Sequence, residues 1–130
     1  MIDAVNVPVQ TVQPNNPVLF AATRIFTGCT VRHEQGSGRF VITKPGIYKV
    51  TFNGVLTSAA ASTALLNIMQ DGEAIAGATI DQTTTSDPET VSVSTLIRVY
   101  CCDSAISVTN TGTTNPVDVS NANIIIERLA

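Results

Sequence analysis

The sequence has no tryptophan and two tyrosines, and charged residues make up 13% of it, about half the usual share of a globular domain. Thr, Ser and Asn stand where charge would be, which suits an all-β protein packed against neighbours better than a mobile enzyme. Seven basic residues are scattered among ten acidic ones, for a net charge of -3. No Lys/Arg block marks a polyanion-binding face, so neither nucleic acid nor an acidic membrane is expected as a partner. No apolar run approaches a membrane span, and membrane insertion is not expected. The start, "MIDAVNVPVQ", lacks a basic region and an apolar core, so synthesis in the cytoplasm without a signal peptide is the expectation. Three cysteines, an odd number, make no disulfide framework. Cys101 and Cys102 are adjacent in a strand-like run and face opposite sides, so they do not bridge each other. Cys29, Cys101 and Cys102 read as buried free thiols of a protein folded in a reducing compartment.

Helix signals are also scarce. "TSAAASTALLNIMQ" has helical composition, yet it runs into Asp71-Gly72, the dipeptide of a tight hairpin turn. Residues 64–70 and 73–80 therefore read as a hairpin. Strand-like runs recur elsewhere: "AVNVPVQTV", "PVLFAA", "CTVRHE", "GRFVITK", "GIYKVTFNGVLTS", "ETVSVSTLIRVYC", "AISVTNTG", "VDVS" and "NANIIIERL". Pro, Gly and Asn punctuate them. About nine or ten short strands at this spacing indicate an all-β sandwich or barrel.

Alternation assigns faces. In residues 89–100, Val91, Val93, Ile97 and Val99 share one face with Thr95. The other face begins with Thr90, Ser92 and Ser94 and ends with Leu96, Arg98 and Tyr100. The closing strand is apolar on both sides, with Ile124 and Ile126 on one and Ile125 and Leu129 on the other. A sheet wet on one face should not be so. The pattern asks for two covers, one from the partner sheet and one from another copy of the chain, unless loops of the same chain fold over the strand.

"GSGRFVITKPGIYKVTFNG", "LLNIMQDGEAI", "TVSVSTLIRVYCCDSAISVTNTG" and the closing "ANIIIERLA", in this order, resemble the tumour necrosis factor/complement globular-head superfamily. The likeness is nearest to its bacterial and phage branch, the heads of collagen-like exosporium proteins and phage head-fibre or decoration proteins. It is carried by Gly38, Phe40, Gly46 and Tyr48, by Asp71-Gly72, and by residues 124–129. It covers residues 17–130.

The resemblance implies a ten-stranded, two-sheet jelly roll assembled as a three-fold homotrimer, with the last strand lining the axis. Leu96, Arg98, Tyr100, Ile124, Ile125, Ile126 and Leu129 are then the expected trimer interface. Ile124 and Ile126, or Ile125 and Leu129, would face the other subunits. No Gly-X-Y stalk precedes the matched region. Residues 1–16 read instead as a strand, with Val5, Val7 and Val9 in alternation, followed by a Pro/Asn linker. That strand is either a docking arm or one more strand of the jelly roll. The expected role is non-enzymatic display on a virion surface, as a capsid decoration or head-fibre protein that stabilises the shell or mediates adhesion. A spore-surface head and a ligand resembling tumour necrosis factor are the alternatives.

Chemistry is thinly provided. The one histidine, His33, has no serine in a G-x-S-x-G elbow to serve, and reads as a surface residue at a strand end. A zinc site of Cys29, His33, Cys101 and Cys102 fails on spacing, since Cys29 and His33 in one strand stand about 13 Å apart. Some globular heads of the resembled family bind calcium. Asp81, Asp87, Glu89 and Asp103 offer carboxylates but no known loop spacing, and read as solvated loop residues. No metal or cofactor is expected. The loops "TSAAAST", "DQTTTSDPET" and "TNTGTTNPVD" carry short polar groups of the kind a glycan or host-surface ligand needs. Few aromatic rings are available to stack on a sugar, so solubility is the preferred role of these loops.

Overall fold

The computed structural model describes residues 1–58, 62–100, 103–112 and 115–130. The described residues form eleven strands. They are β1 (Ile2–Asn6), β2 (Gln10–Val12), β3 (Ala22–Phe26), β4 (Val31–His33), β5 (Phe40–Ile42), β6 (Gly46–Thr57), β7 (Ser62–Gln70), β8 (Glu73–Thr84), β9 (Glu89–Val99), β10 (Ser104–Asn110) and β11 (Val117–Arg128). Two antiparallel sheets face each other. One runs β3-β1-β11-β6-β9, with β2 also paired to β11, and the other runs β4-β5-β10-β7-β8.

The expected hairpin is β7–β8. Asp71 (φ 53°) and Gly72 (φ 85°) both take the left-handed conformation of a two-residue turn whose twist matches the strands. The long strand β6 alternates as its sequence requires. Tyr48, Val50, Phe52 and Leu56 point inward and are buried, while Lys49 is exposed and Thr51 and Asn53 are half-buried. The buried phenol of Tyr48 is satisfied by donating to the Lys44 carbonyl at 2.8 Å. Phe20 fills the centre, edge-on to Phe40 at 5.5 Å and to Phe52 at 6.3 Å between ring centroids. Each such fully buried side chain contributes about 1.5–3 kcal/mol.

The N-terminal half departs from expectation in two ways. "PVLFAA" is not a strand. It makes one bridge, Pro17 to Thr109, and sends Val18 and Phe20 into the core from a connecting segment. The strand follows it, at β3. The stretch "AVNVPVQTV" breaks at Pro8, which has no amide hydrogen to give to a ladder, and becomes β1 and β2. The break adds a strand, and the merging of the two closing runs into β11 removes one.

β1 lies between β3 and β11, with Ile2 opposite Ile126 and Ala4 opposite Ile124. Its inward residues Ile2 and Ala4 are buried. Residues 2–12 are therefore part of the sheet, and the separate docking arm is corrected. Val5 is half-buried on the outward side, whereas Val7 and Val9 are exposed in the β1–β2 connection. Nor does the chain come free near residue 16. The amide of Asn15 donates to Asn110 O at 2.7 Å, and that of Val18 to Val108 O at 2.7 Å.

"VDVS" and "NANIIIERL" form one strand, β11, interrupted by a bulge between Ser120 and Asn123 with Asn121 at φ 48°. The bulge falls where the neighbour of β11 changes from β2 to β1.

Candidate functional site

The six-stranded sheet has one face in the core and one turned away from it. The turned-away face is built by five strands, and its central rows can be read across the register. Asp3, Ile125, Thr51 and Ser94 stand side by side on β1, β11, β6 and β9. The next row is Val5, Asn123, Asn53 and Ser92.

The middle of this face is a polar ladder. Arg24 Nη1 lies 2.8 Å from Asp3 Oδ2, and Asn123 Nδ2 donates to Asp3 Oδ1 and, at 3.2 Å, to Ala4 O. Asn53 Nδ2 donates to Asn123 Oδ1 at 3.4 Å, and the hydroxyls of Thr51 and Ser94 meet at 3.2 Å. Asp3 is buried in the single chain, which is tolerable for a carboxylate only because both oxygens have partners. None of these polar residues was singled out from sequence. The available signal was Asp and Asn inside strand-like runs, where they are normally depleted.

One end of the face sets exposed leucines among charges, with Leu96 in register with Lys49 and Glu127 and Ile47 opposite Arg98. Leu96 on β9 is 59% exposed, and Leu129, just beyond β11, is 53% exposed. Leu129 is tied to β6 through its amide, which donates to Ile47 O at 2.8 Å. Ile47 is half-buried beside them, opposite Arg98. Tyr100 is 81% exposed, with the Arg98 guanidinium 5.6 Å from its ring centroid. A shallow cavity of about 200 Å³ opens among Ile47, Arg98 and Tyr100.

Of the residues expected at a subunit interface, Leu96, Arg98, Ile125 and Leu129 lie on this face and Tyr100 lies at its end. Ile124 and Ile126 do not. Both are fully buried in the chain's own core, opposite Phe52 and Val50 of β6, and their placement between subunits is corrected. The physical reason is plain alternation: of three successive isoleucines, two point in and only Ile125 points out.

His33 is a wall. Its Nε2 lies 2.8 Å from Ser37 O, which only accepts, so Nε2 carries the proton. The ring stacks on Phe40 with centroids 4.2 Å apart. Cys29 is exposed, which corrects the expectation of a buried thiol, while Cys101 and Cys102 lie outside the described residues. Among the described residues no three His, Cys, Asp or Glu side chains gather at one point. No helix among them is long and apolar enough to cross a membrane.

No family model matches the sequence, and no curated protein matches it. Solved structures do match its fold along nearly the whole chain. Murine APRIL superposes with a TM-score of 0.74 at 12% identity, over 98% of this chain and 97% of APRIL. The vertex protein P5 of PRD1 gives 0.64 at 15% identity, over 99% and 96%. The fold is a TNF-like jelly roll. The globular domain of zebrafish complement 1qA protein superposes as well, at 0.61 and 14% identity over 95% and 94% of the two chains. At such identities the likeness carries the architecture of this TNF-like jelly roll and nothing of its chemistry.

Proposed function

We propose that the chain is a non-enzymatic head that assembles as a homotrimer through the outward face of the six-stranded sheet and is displayed on the surface of a particle. In its most specific form it is a phage capsid decoration or head-fibre protein, whose work is to stabilise the shell, to mediate adhesion, or both. The observation that carries this reading is the group of exposed apolar side chains at one end of that face, set among Lys49, Glu127 and Arg98. Leu96 and Leu129 stay exposed beside Ile47, and Ile125 is half-buried in the row beyond. Covering each of these large side chains contributes about 1.5–3 kcal/mol, and a second and third copy of the same sheet supply the cover.

Two further observations support the reading. The low charge content favours packing against neighbours over free solution. One of the solved structures whose fold superposes on this chain is the vertex protein P5 of PRD1.

Immunogold labelling with antibodies against the folded domain tests the placement. Gold on intact phage heads supports decoration. Gold on spores moves the head to the alternative surface, and gold on neither removes surface display.

A further inference from the structure

Two cavities share one residue, Arg39: one opens along the edge of the sandwich, where Phe26 of β3 comes beside β4, and the other lies on the outward side of β10. The larger, about 500 Å³, is lined by Phe26, Arg32, His33, Glu34 and Val41 besides Arg39. That volume falls within the range of small-molecule clefts. The smaller, about 230 Å³, lies on the other side of Arg39, over Gly38, Gly72, Ala105 and Ser107. Small side chains make its floor, and Pro17 makes its wall.

That wall is built in. Any Cβ at Gly38 would stand 2.5 Å from Val18 O and 2.8 Å from Pro17 Cβ, so Pro17 can sit where it does only against glycine. His33, bonded to Ser37 O and stacked on Phe40, is likewise fixed.

We propose that this groove, centred on Arg39, binds a sugar carrying a single carboxylate. Arg32 is already held by Asp103 at 3.1 Å. Arg39 has no acidic partner among the described residues, is exposed, and lines both cavities. Its planar fork matches a carboxylate in two parallel hydrogen bonds. Glu34 in the lining opposes a polyanion and at the same time offers an acceptor for sugar hydroxyls. Phe26, 54% exposed, presents an apolar surface to the face of a ring. On the other side, Ser107 and Thr109 bring a hydroxyl pair 3.0 Å apart. The site goes beyond surface display and lies at the β3–β4 edge and over β10, away from the outward rows of β11, β6 and β9, so either proposal can fail without the other.

The test is a titration of the full, isotopically labelled chain, followed by amide NMR, with sialyllactose and digalacturonate as acidic probes. Lactose and inorganic phosphate serve as the neutral and inorganic counterparts. Expected are shifts at Gly38, Arg39 and Ser107 with the acidic sugars, and none there with lactose or phosphate. Arg39→Ala weakens binding about ten-fold or more, and Arg39→Lys restores part of it. Because Arg39 is exposed, both variants keep the thermal midpoint and the mass in solution of the parent. Silence toward both acidic sugars overturns the proposal. So do equal shifts from lactose or phosphate, or undiminished binding by Arg39→Ala.

Discussion

Asp3 on the first strand and Asn123 on the last are joined side chain to side chain, Asn123 Nδ2 donating to Asp3 Oδ1. Arg24 holds the other carboxylate oxygen, so one buried residue fastens β3, β1 and β11 together. The two members of the ion pair differ in exposure. The Arg24 side chain is 59% exposed and that of Asp3 only 9%. Asp3→Ala should therefore lower stability by about 1–3 kcal/mol, since it strands the amide of Asn123. Arg24→Ala should cost only about 0.2–1 kcal/mol, because removing that largely exposed side chain opens Asp3 Oδ2 to water, which becomes its partner. Urea unfolding of the two variants gives the order, and a larger loss for Arg24→Ala contradicts it.

The first strand is a structural member, so shortening the chain should be severe. Deletion of residues 1–12 removes two strands and the buried Ile2, Ala4 and Val12, and leaves β11 paired on one side only, to β6, and β3 cut off from the sheet. Circular dichroism should show loss of the cooperative thermal transition. Ala4→Leu probes the same place gently, overfilling a site with no exposure at a cost of about 1–3 kcal/mol. A truncated chain that melts like the parent would restore the docking-arm reading.

The three isoleucines should separate by what they stabilise. Ile124→Ala empties a fully buried site opposite Phe52 and should cost about 2–5 kcal/mol at any protein concentration. Ile125→Ser should act chiefly on assembly, so its effect on the melting temperature shrinks as the protein is diluted. Melting curves over a dilution series distinguish the two. Equal, concentration-independent losses would place all three in one chain's interior.

Asn110, with no exposure, closes the joint between β10 and the segments around it. Its Nδ2 donates to Val12 O and Asn115 O, each at 3.0 Å, and its Oδ1 accepts from Gly112 N at 2.9 Å. Asn110→Ala should cost about 1–3 kcal/mol, because buried backbone groups lose their partners. Hydrogen exchange should speed up at Gly112. A variant as stable as the parent, with Gly112 still protected, would mean that water replaces the amide without loss.

The parts of the fold that depend on one local chemistry could be read from residues. Asp71-Gly72 announced its turn, and the alternation of β6 and β9 assigned their faces correctly. The isoleucine run announced a strand apolar on both sides. It could not say which isoleucine faced which cover, because three successive residues fit either phase. At the N-terminus, Val5, Val7 and Val9 drew the eye to the outward phase, while the small Ala4 concealed the inward one. β3 is polar and largely exposed, and its neighbour "PVLFAA" buries Val18 and Phe20 without joining a ladder, so apolarity pointed to the wrong segment. The polar ladder of Asp3, Asn123 and Asn53 comes from residues up to 120 positions apart, and only the register assembles it.

The central claim, that the outward face of the six-stranded sheet joins three copies, is tested most directly by the mass in solution. Light scattering should be run over a dilution series, with reductant, on the parent chain and on a Leu96→Asp, Leu129→Asp double variant. Both positions are exposed in the single chain, so the double variant should remain folded. The parent should hold the mass of three chains and the variant the mass of one. A parent that is monomeric throughout, or a variant that stays trimeric, contradicts the account.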